Sequence, residues 1–389
     1  MFKKSVLFVF IIFYGCIENQ FTYQNQLDSF KNKTQIIELV SSDGIGRIAV
    51  APKIQGKILF STTQGLQGSP NGWINKTCFQ GDTINMAAVG GEDRIWVGPL
   101  GGQYSFYYQQ IKPLHEDHWK VPKSLSVEPY ILIEHDDKKV VMQKKFQLTN
   151  FMGTKFNFTI NRQIKLLEKD DIETNLNITL PKDLKHVAYE SRHVLTNKDT
   201  IPWQKNTGLI SLWSAGMFQG HDKNTVIIPL ENKGALNNMY KYMGQLNHDR
   251  LRVTNHVVLF KADGKYRSKI GIPNLYAPSV YGCYSKSKNQ LTIVQFKKTQ
   301  DTLFSNSHAT VQNNPYRGEV IPIYNNGPMD LSIAESNGFF ELESTSSFKA
   351  LLPSESLNHY HRIYHFSGNE SVLNRLSTDL LGISLNQCF

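Results

Sequence analysis

From about residue 40 to the carboxyl end the chain is built of short segments in which apolar and polar residues alternate. Arg47–Pro52, Lys57–Ser61, Val226–Pro229, Arg252–Lys261, Leu291–Lys297 and Phe339–Ser344 are examples. A period of two places successive side chains on opposite faces of an extended strand. Gly, Asn, Asp and Pro punctuate the segments, as in Ala262-Asp263-Gly264-Lys265 and Asn325-Asn326-Gly327-Pro328. Such spacing predicts a large antiparallel β structure. Helical periodicity is scarce. Ser371–Leu381 carries Val372, Leu376 and Leu380 on one helical face and predicts a closing helix, and Gly234–Leu246 reads as a second short one. With no internal repeat, low-complexity block or linker, residues 34–389 are expected to form a single domain.

The amino end follows a different pattern. Lys3 and Lys4 precede an apolar run, Ser5–Tyr14. A helix rises about 1.5 Å per residue, so this run is too short to cross a hydrocarbon core of about 30 Å. It reads as an export signal over residues 1–15. Gly15-Cys16 resembles a bacterial lipobox, which implies lipidation of Cys16, a membrane partner through that anchor, and a place in the cell envelope facing the periplasm or the cell surface. Residues 16–33 are polar and rich in Asn and Gln, and are expected to be a flexible tether.

Composition narrows the class. Of 389 residues, 40% are hydrophobic and 11% aromatic, which excludes a disordered, collagen-like or coiled-coil chain. The formal charge is +9, but the basic residues are scattered, without a basic stripe or nucleic-acid fold signature. No nucleic-acid partner is expected, and the balance favours anionic lipids or polyanionic glycans. Cys78, Cys283 and Cys388 lack metal-ligand spacing and allow at most one internal disulfide. There is no dinucleotide loop, phosphate loop, nucleophile elbow or zinc-binding helix motif, so neither a cofactor nor a metal is expected.

Four stretches carry a resemblance: Arg47–Asn75, Gly90–Phe106, Asn197–Trp213 and Phe339–Phe366. Together they look like an uncharacterised family of exported bacterial proteins in the galactose mutarotase-like superfamily. The link to mutarotases lies in Leu342-Glu343-Ser344, then Leu352-Pro353-Ser354-Glu355, then Tyr364-His365-Phe366. The resemblance implies an all-β supersandwich of two large curved sheets with few short helices, one sheet offering a concave sugar-binding face. It also implies a carbohydrate partner, mono- or polysaccharide, and a general base at Glu343. The chain departs from the mutarotase pattern elsewhere. The stretch expected to hold a catalytic histidine corresponds to Gly208–Trp213 and has none, and the early arginine motif is replaced by Gly91-Glu92-Asp93-Arg94.

Alternation sorts the candidates. Phe340 and Leu342 share one face of their strand, so Glu341 and Glu343 share the other, open one. Two carboxylates about 7 Å apart along a strand raise each other's pKa, which suits one of them to acid–base work; two solvated surface acids is the plainer alternative. Glu92, Arg94 and Trp96 fall together, an arginine beside an indole being a sugar platform. The competing reading is a structural Arg–Glu pair beside a core Trp. Asp93 falls on the apolar side and needs a partner. His359, His361 and His365 share a face; His361 is the candidate proton donor to accompany Glu343, and His359 a candidate sugar contact. His118, in the rim loop His115–Trp119, and Trp213 complete the expected binding residues. Two functions stay open: an epimerase-, lyase- or hydrolase-like enzyme, and a non-catalytic glycan-binding lipoprotein.

Overall fold

The computed structural model describes residues 21–79, 84–85, 89–231, 238–330, 332–333 and 338–389. The signal segment 1–15 and Cys16 lie outside the described residues.

Helix α1 (Tyr23–Lys31) opens the fold, and β1 (Ile37–Val40), β2 (Arg47–Ala51) and β3 (Lys57–Thr62) follow as a small antiparallel sheet. Residues 23–31 were expected to lie in a tether, but Tyr23, Leu27 and Phe30 recur at helical spacing. All three are buried and pack with Ala49, Ala51, Leu59 and Phe60 of the small sheet. Thr22 and Asn25 form a reciprocal cap at the helix start.

The rest of the chain weaves between two large sheets. β4 (Arg94–Gly98) enters the first of them. The long meander β5 (Ile131–His135), β6 (Lys139–Thr149), β7 (Lys155–Leu166) and β8 (Lys185–Asn197), with α2 (Lys123–Ser126) before it and α3 (Lys169–Leu176) within it, builds the second. β9 (Ser211–Gln219) returns to the first and β10 (Asn224–Pro229) to the second. β11 (Tyr240–Met243), β14 (Ser268–Ile272), β17 (Ile321–Asn325) and β18 (Phe339–Thr345) go to the first. β12 (Leu251–Val253), β13 (Val257–Lys261), β15 (Val280–Ser285), β16 (Gln290–Phe296) and β19 (Ser356–Ser367) go to the second, and α4 (Glu370–Leu381) closes the chain. The six-stranded sheet runs β11-β14-β17-β18-β9-β4 and the ten-stranded sheet β12-β13-β10-β15-β16-β19-β8-β7-β6-β5. All pairings are antiparallel. The expected all-β supersandwich is what the chain forms.

The main core lies between the two large sheets, where Ile95, Leu212, Leu342, Ile323 and Ile270 of one meet Phe158, Ile160, Leu195, Ile363 and Phe296 of the other. α3 and α4 cover part of the outer face of the ten-stranded sheet through Ile172, Leu373, Leu376 and Leu381. α4 follows the predicted closing helix and ends at Gly382, whose positive φ of 70° forms its C-cap. The helix expected at Gly234–Leu246 is not formed at residues 240–243, which are β11; residues 232–237 of it lie outside the described residues. Among the described residues no helix is long and apolar enough to cross a membrane.

Candidate functional site

The six-stranded sheet turns one face to the core and the other to a hollow of about 810 Å³, within the usual range for small-molecule pockets. Register assigns the residues of that outer face. Arg94 lies opposite Ala215, and Ala215 opposite Glu343. Trp96 lies opposite Trp213. Met217, Glu341, Tyr324, Lys269 and Met243 form a continuous row across five strands. Alternation sends the intervening Ile95, Ser214, Leu342, Ser344, Ile323 and Ile270 inward. A small residue, Ala215, sits between the Arg94 and Glu343 side chains.

The Arg94 guanidinium pairs with Glu341 at 2.5 Å, and its Cζ lies 4.0 Å from the Trp96 ring centroid. Trp96 donates its Nε1–H to the Leu125 carbonyl at 2.9 Å and meets Trp213 edge-on at 5.3 Å. Trp119 stacks on Tyr107 at 5.1 Å, 6.0 Å from Trp96, and stays 37% exposed. Three indoles thus wall one side of the hollow.

Glu343 lies deeper than expected. It is fully covered and is not among the residues that line the hollow, whereas Glu341 is. Its Oε2 accepts from Trp213 Nε1 at 2.6 Å, while Oε1 is buried without a hydrogen-bond partner. Burial pushes its carboxyl up to about 7, against the opposing pull of the Lys269 charge. From the core side the Tyr281 hydroxyl donates to the Glu343 carbonyl at 2.8 Å and fixes the backbone here.

Alternation alone did not single out the residues on the far wall. Lys269 is 5% exposed, with its ammonium 5.1 Å from the Trp213 ring centroid. Behind the lining residue Tyr242, Glu319 is almost fully buried and accepts from the Tyr242 hydroxyl; burial pushes its carboxyl up to about 8. A Cβ on Gly271 would stand 2.7–2.9 Å from the Glu319 side chain, so only glycine leaves that carboxyl its place. The signal for this wall was Lys269 and Gly271 alternating with Ile270 and Ile272, but no motif marks it.

Four expected site residues are elsewhere. His361 does not stand beside Glu343. It belongs to the ten-stranded sheet and points into the core, where its Nδ1 lies 2.8 Å from Ser344 Oγ. Ser344 and Glu343 are neighbours on one strand and face opposite ways, so a whole sheet separates the pair. His359 shares the same hydroxyl at 2.8 Å and is equally buried. Burial drives His359 down to about 3 and His361 to about 4, so both are neutral at ordinary pH. Glu92 also points inward, accepting from Ser61 Oγ at 2.8 Å and lying 2.9 Å from His365 Nε2. The reason is a bulge. Arg94 pairs with Ala215, yet Met217 donates to the carbonyl of Gly91 instead of that of residue 92. One extra residue is inserted, alternation breaks, and Glu92 and Asp93 both turn to the core. Asp93 finds the partner it needs in Arg162, at 2.9 Å with both side chains fully buried. His118 is absent from the hollow's lining: its Nδ1 lies 2.9 Å from the Pro113 carbonyl, and its neighbours His115, Glu116, Asp117 and Trp119 form the rim instead. Arg94, Trp96, Trp213 and Glu341 do come together on the hollow.

A family model described as a family of unknown function, DUF6786, matches residues 21–389. The chain belongs to this family. No curated protein matches the sequence. Among solved structures, one from Escherichia coli K12 with an inferred aldose 1-epimerase assignment is 12% identical, with a TM-score of 0.52 over 85% of this chain and 98% of that one. The Slr1438 protein of Synechocystis sp. PCC 6803 is also 12% identical, with a TM-score of 0.53 over 86% and 97%. A galactose mutarotase-like protein from Lactobacillus casei is 10% identical, with a TM-score of 0.49 over 85% and 100%. At these identities the likeness is one of fold.

Proposed function

We propose that this DUF6786 protein binds a carbohydrate in the hollow of its six-stranded sheet. The observation that carries the reading is the wall of Trp96, Trp119 and Trp213 beside the Arg94–Glu341 pair. Indole faces pack on the C–H groups of a sugar ring, and charged groups beside them hydrogen-bond its hydroxyls. The fold shared with a protein of inferred aldose 1-epimerase assignment agrees with this use of the face. The test is ligand-observed NMR of the full chain against mono- and polysaccharides. Saturation transfer to a saccharide, lost in Trp119→Ala, supports the proposal. Trp119 is partly exposed, so the substitution leaves the core intact. No transfer to any saccharide refutes it.

Acid–base turnover of the bound sugar is a second reading, favoured by one observation: the unpartnered Oε1 of Glu343 on a carboxyl poised near neutrality. In that reading Glu343 takes the proton, and Tyr242, a lining residue hydrogen-bonded to Glu319, is the candidate to give one back. Glu343→Gln then lowers turnover by about 10²-fold or more with binding retained. Equal turnover in the variant removes Glu343 from the chemistry.

We infer further that residues 1–15 direct export and that Cys16 carries the lipid anchor, so that the domain works at the cell envelope. Extraction from membranes by detergent but not by salt supports this, and a Cys16→Ala protein that still partitions with lipid overturns it.

A further inference from the structure

The charges that line the hollow balance in number, Arg94, Arg267 and Lys269 against Glu116, Asp117 and Glu341, but they are not paired one to one. Arg94 is matched by Glu341 at 2.5 Å. Arg267 and Lys269 also line the hollow, and among the described residues neither has a carboxylate within 4.0 Å. Lys269 is the more telling of the two. It is 95% buried, with its ammonium 5.1 Å from the Trp213 ring centroid, and it feels Glu319 and Glu343 only at longer range. A cation taken that far out of water without an anion is costly. Glu343, whose carboxyl burial pushes up to about 7, has its one engaged oxygen on Trp213 and none on Lys269. Glu319 is held protonated at neutral pH in the same way, with its own hydrogen bond to Tyr242. Glu116 and Asp117 lie out on the exposed rim, where Asp117 pairs with His115 at 3.3 Å. Arg267 and Lys269 are therefore the cations of the lining that no carboxylate contacts among the described residues.

Lys269 is on β14 and Arg267 lies just before its first residue, about 7 Å away along an extended backbone, and both line the hollow. Tyr324, opposite Lys269 on the next strand, lies between them and the Arg94–Glu341 pair. A guanidinium and an ammonium at this spacing suit a single anionic group held between them, the guanidinium binding it bidentately and the ammonium as a point charge.

Building on the saccharide reading of the same hollow, we propose that the ligand is an acidic saccharide whose anionic group docks between Arg267 and Lys269 while its ring lies against the indole wall. The acidic group is a carboxylate, as on a uronic acid, or a sulfate ester, and the chain's overall charge of +9 favours approach of either.

The experiment is titration of the full chain, followed by NMR, with glucuronate, galacturonate, glucose 6-sulfate, glucose and galactose. The expected result is that at least one acidic sugar binds tenfold or more tightly than its neutral counterpart, with the advantage falling as salt rises. Arg267→Gln is expected to erase the advantage of the acidic sugar over its neutral counterpart. Arg267 is exposed, so this variant folds; Lys269→Met provides the second arm. Preference for uronates over the sulfate ester, or the reverse, identifies which acidic group is recognised. Neutral sugars binding as tightly as acidic ones overturn the proposal and leave the saccharide reading standing. An acidic-sugar preference that survives in both variants overturns the assignment to Arg267 and Lys269. Binding of none of the five overturns the proposal; the wider saccharide reading then stands or falls on the polysaccharide panel.

Discussion

Removing the carboxylate of Asp93 tests how the strand that bears Arg94 and Trp96 is held. Asp93 and Arg162 form an ion pair at 2.9 Å with no exposure on either side chain. Ser191 donates to the same carboxylate oxygen, and Arg162 Nε donates to the Gly56 carbonyl at 2.8 Å. Asp93→Asn keeps the shape and removes the charge, stranding a guanidinium in the core. Breaking one side of a fully buried pair costs about 3–5 kcal/mol, whereas replacing both sides with apolar groups of similar volume is close to neutral. Asp93→Asn should therefore lose about 3–5 kcal/mol, and Asp93→Leu combined with Arg162→Met should recover most of it. Equilibrium urea unfolding followed by tryptophan fluorescence reads both, with stability taken from the midpoint and slope. Because Asp93 directly precedes β4, Asp93→Asn should also weaken saccharide binding through Arg94 and Trp96. A single-variant loss below about 1 kcal/mol, or strictly additive losses in the double-mutant cycle, would refute this account of the pair.

Other outcomes follow from the same structure. The raised carboxyl of Glu319, about 8 against an unfolded value near 4.5, means that the folded chain holds a proton which the unfolded chain has lost. Stability therefore falls as pH rises from about 4.5 to about 8, and above the ordinary histidine range Glu319→Gln should flatten that fall in urea titrations; an unchanged slope there counts against a buried neutral Glu319. The lowered values of His359 and His361 act oppositely, so stability drops as pH falls from about 6.5 toward 4, and His361→Asn should reduce this acid sensitivity. Gly271→Ala should cost about 1–3 kcal/mol by pressing on Glu319; a neutral effect in thermal unfolding would show that the carboxyl has room to move. Phe30→Ala in α1 should cost about 3–5 kcal/mol, and wild-type stability would return residues 23–31 to the status of a tether.

The strands and their faces were legible because alternation is a local property. Phe340 and Leu342 had to go in, so Glu341 had to face out, and the same logic placed Arg94, Trp96 and Trp213. What alternation cannot say is which sheet a strand joins. His361 and Glu343 look adjacent in the chain's last hairpin, but β18 and β19 belong to different sheets, so their facing sides meet in the core through Ser344 and His361. Glu92 was misplaced for a narrower reason: a bulge adds one residue, and no period-two count survives it. α1 was overlooked in spite of a visible signal. Tyr23, Leu27 and Phe30 lie on one helical face, but their Asn and Gln neighbours dominated the composition. Lys269 and Glu319 belong to no motif, and their importance appears only when five strands are laid side by side.

The bulge also bears on how the molecule can move. It delivers two adjacent carboxylates into the sandwich, and each grips a different part of the opposite sheet: Asp93 holds Arg162 of β7 and Ser191 of β8, and Glu92 meets His365 of β19. Two side chains from consecutive residues thus act as pins through both layers, and neither sheet can slide or shear over its partner without breaking them. The pinned sheet is the one that carries the floor of the hollow, whereas Trp119 at its mouth stands partly in solvent.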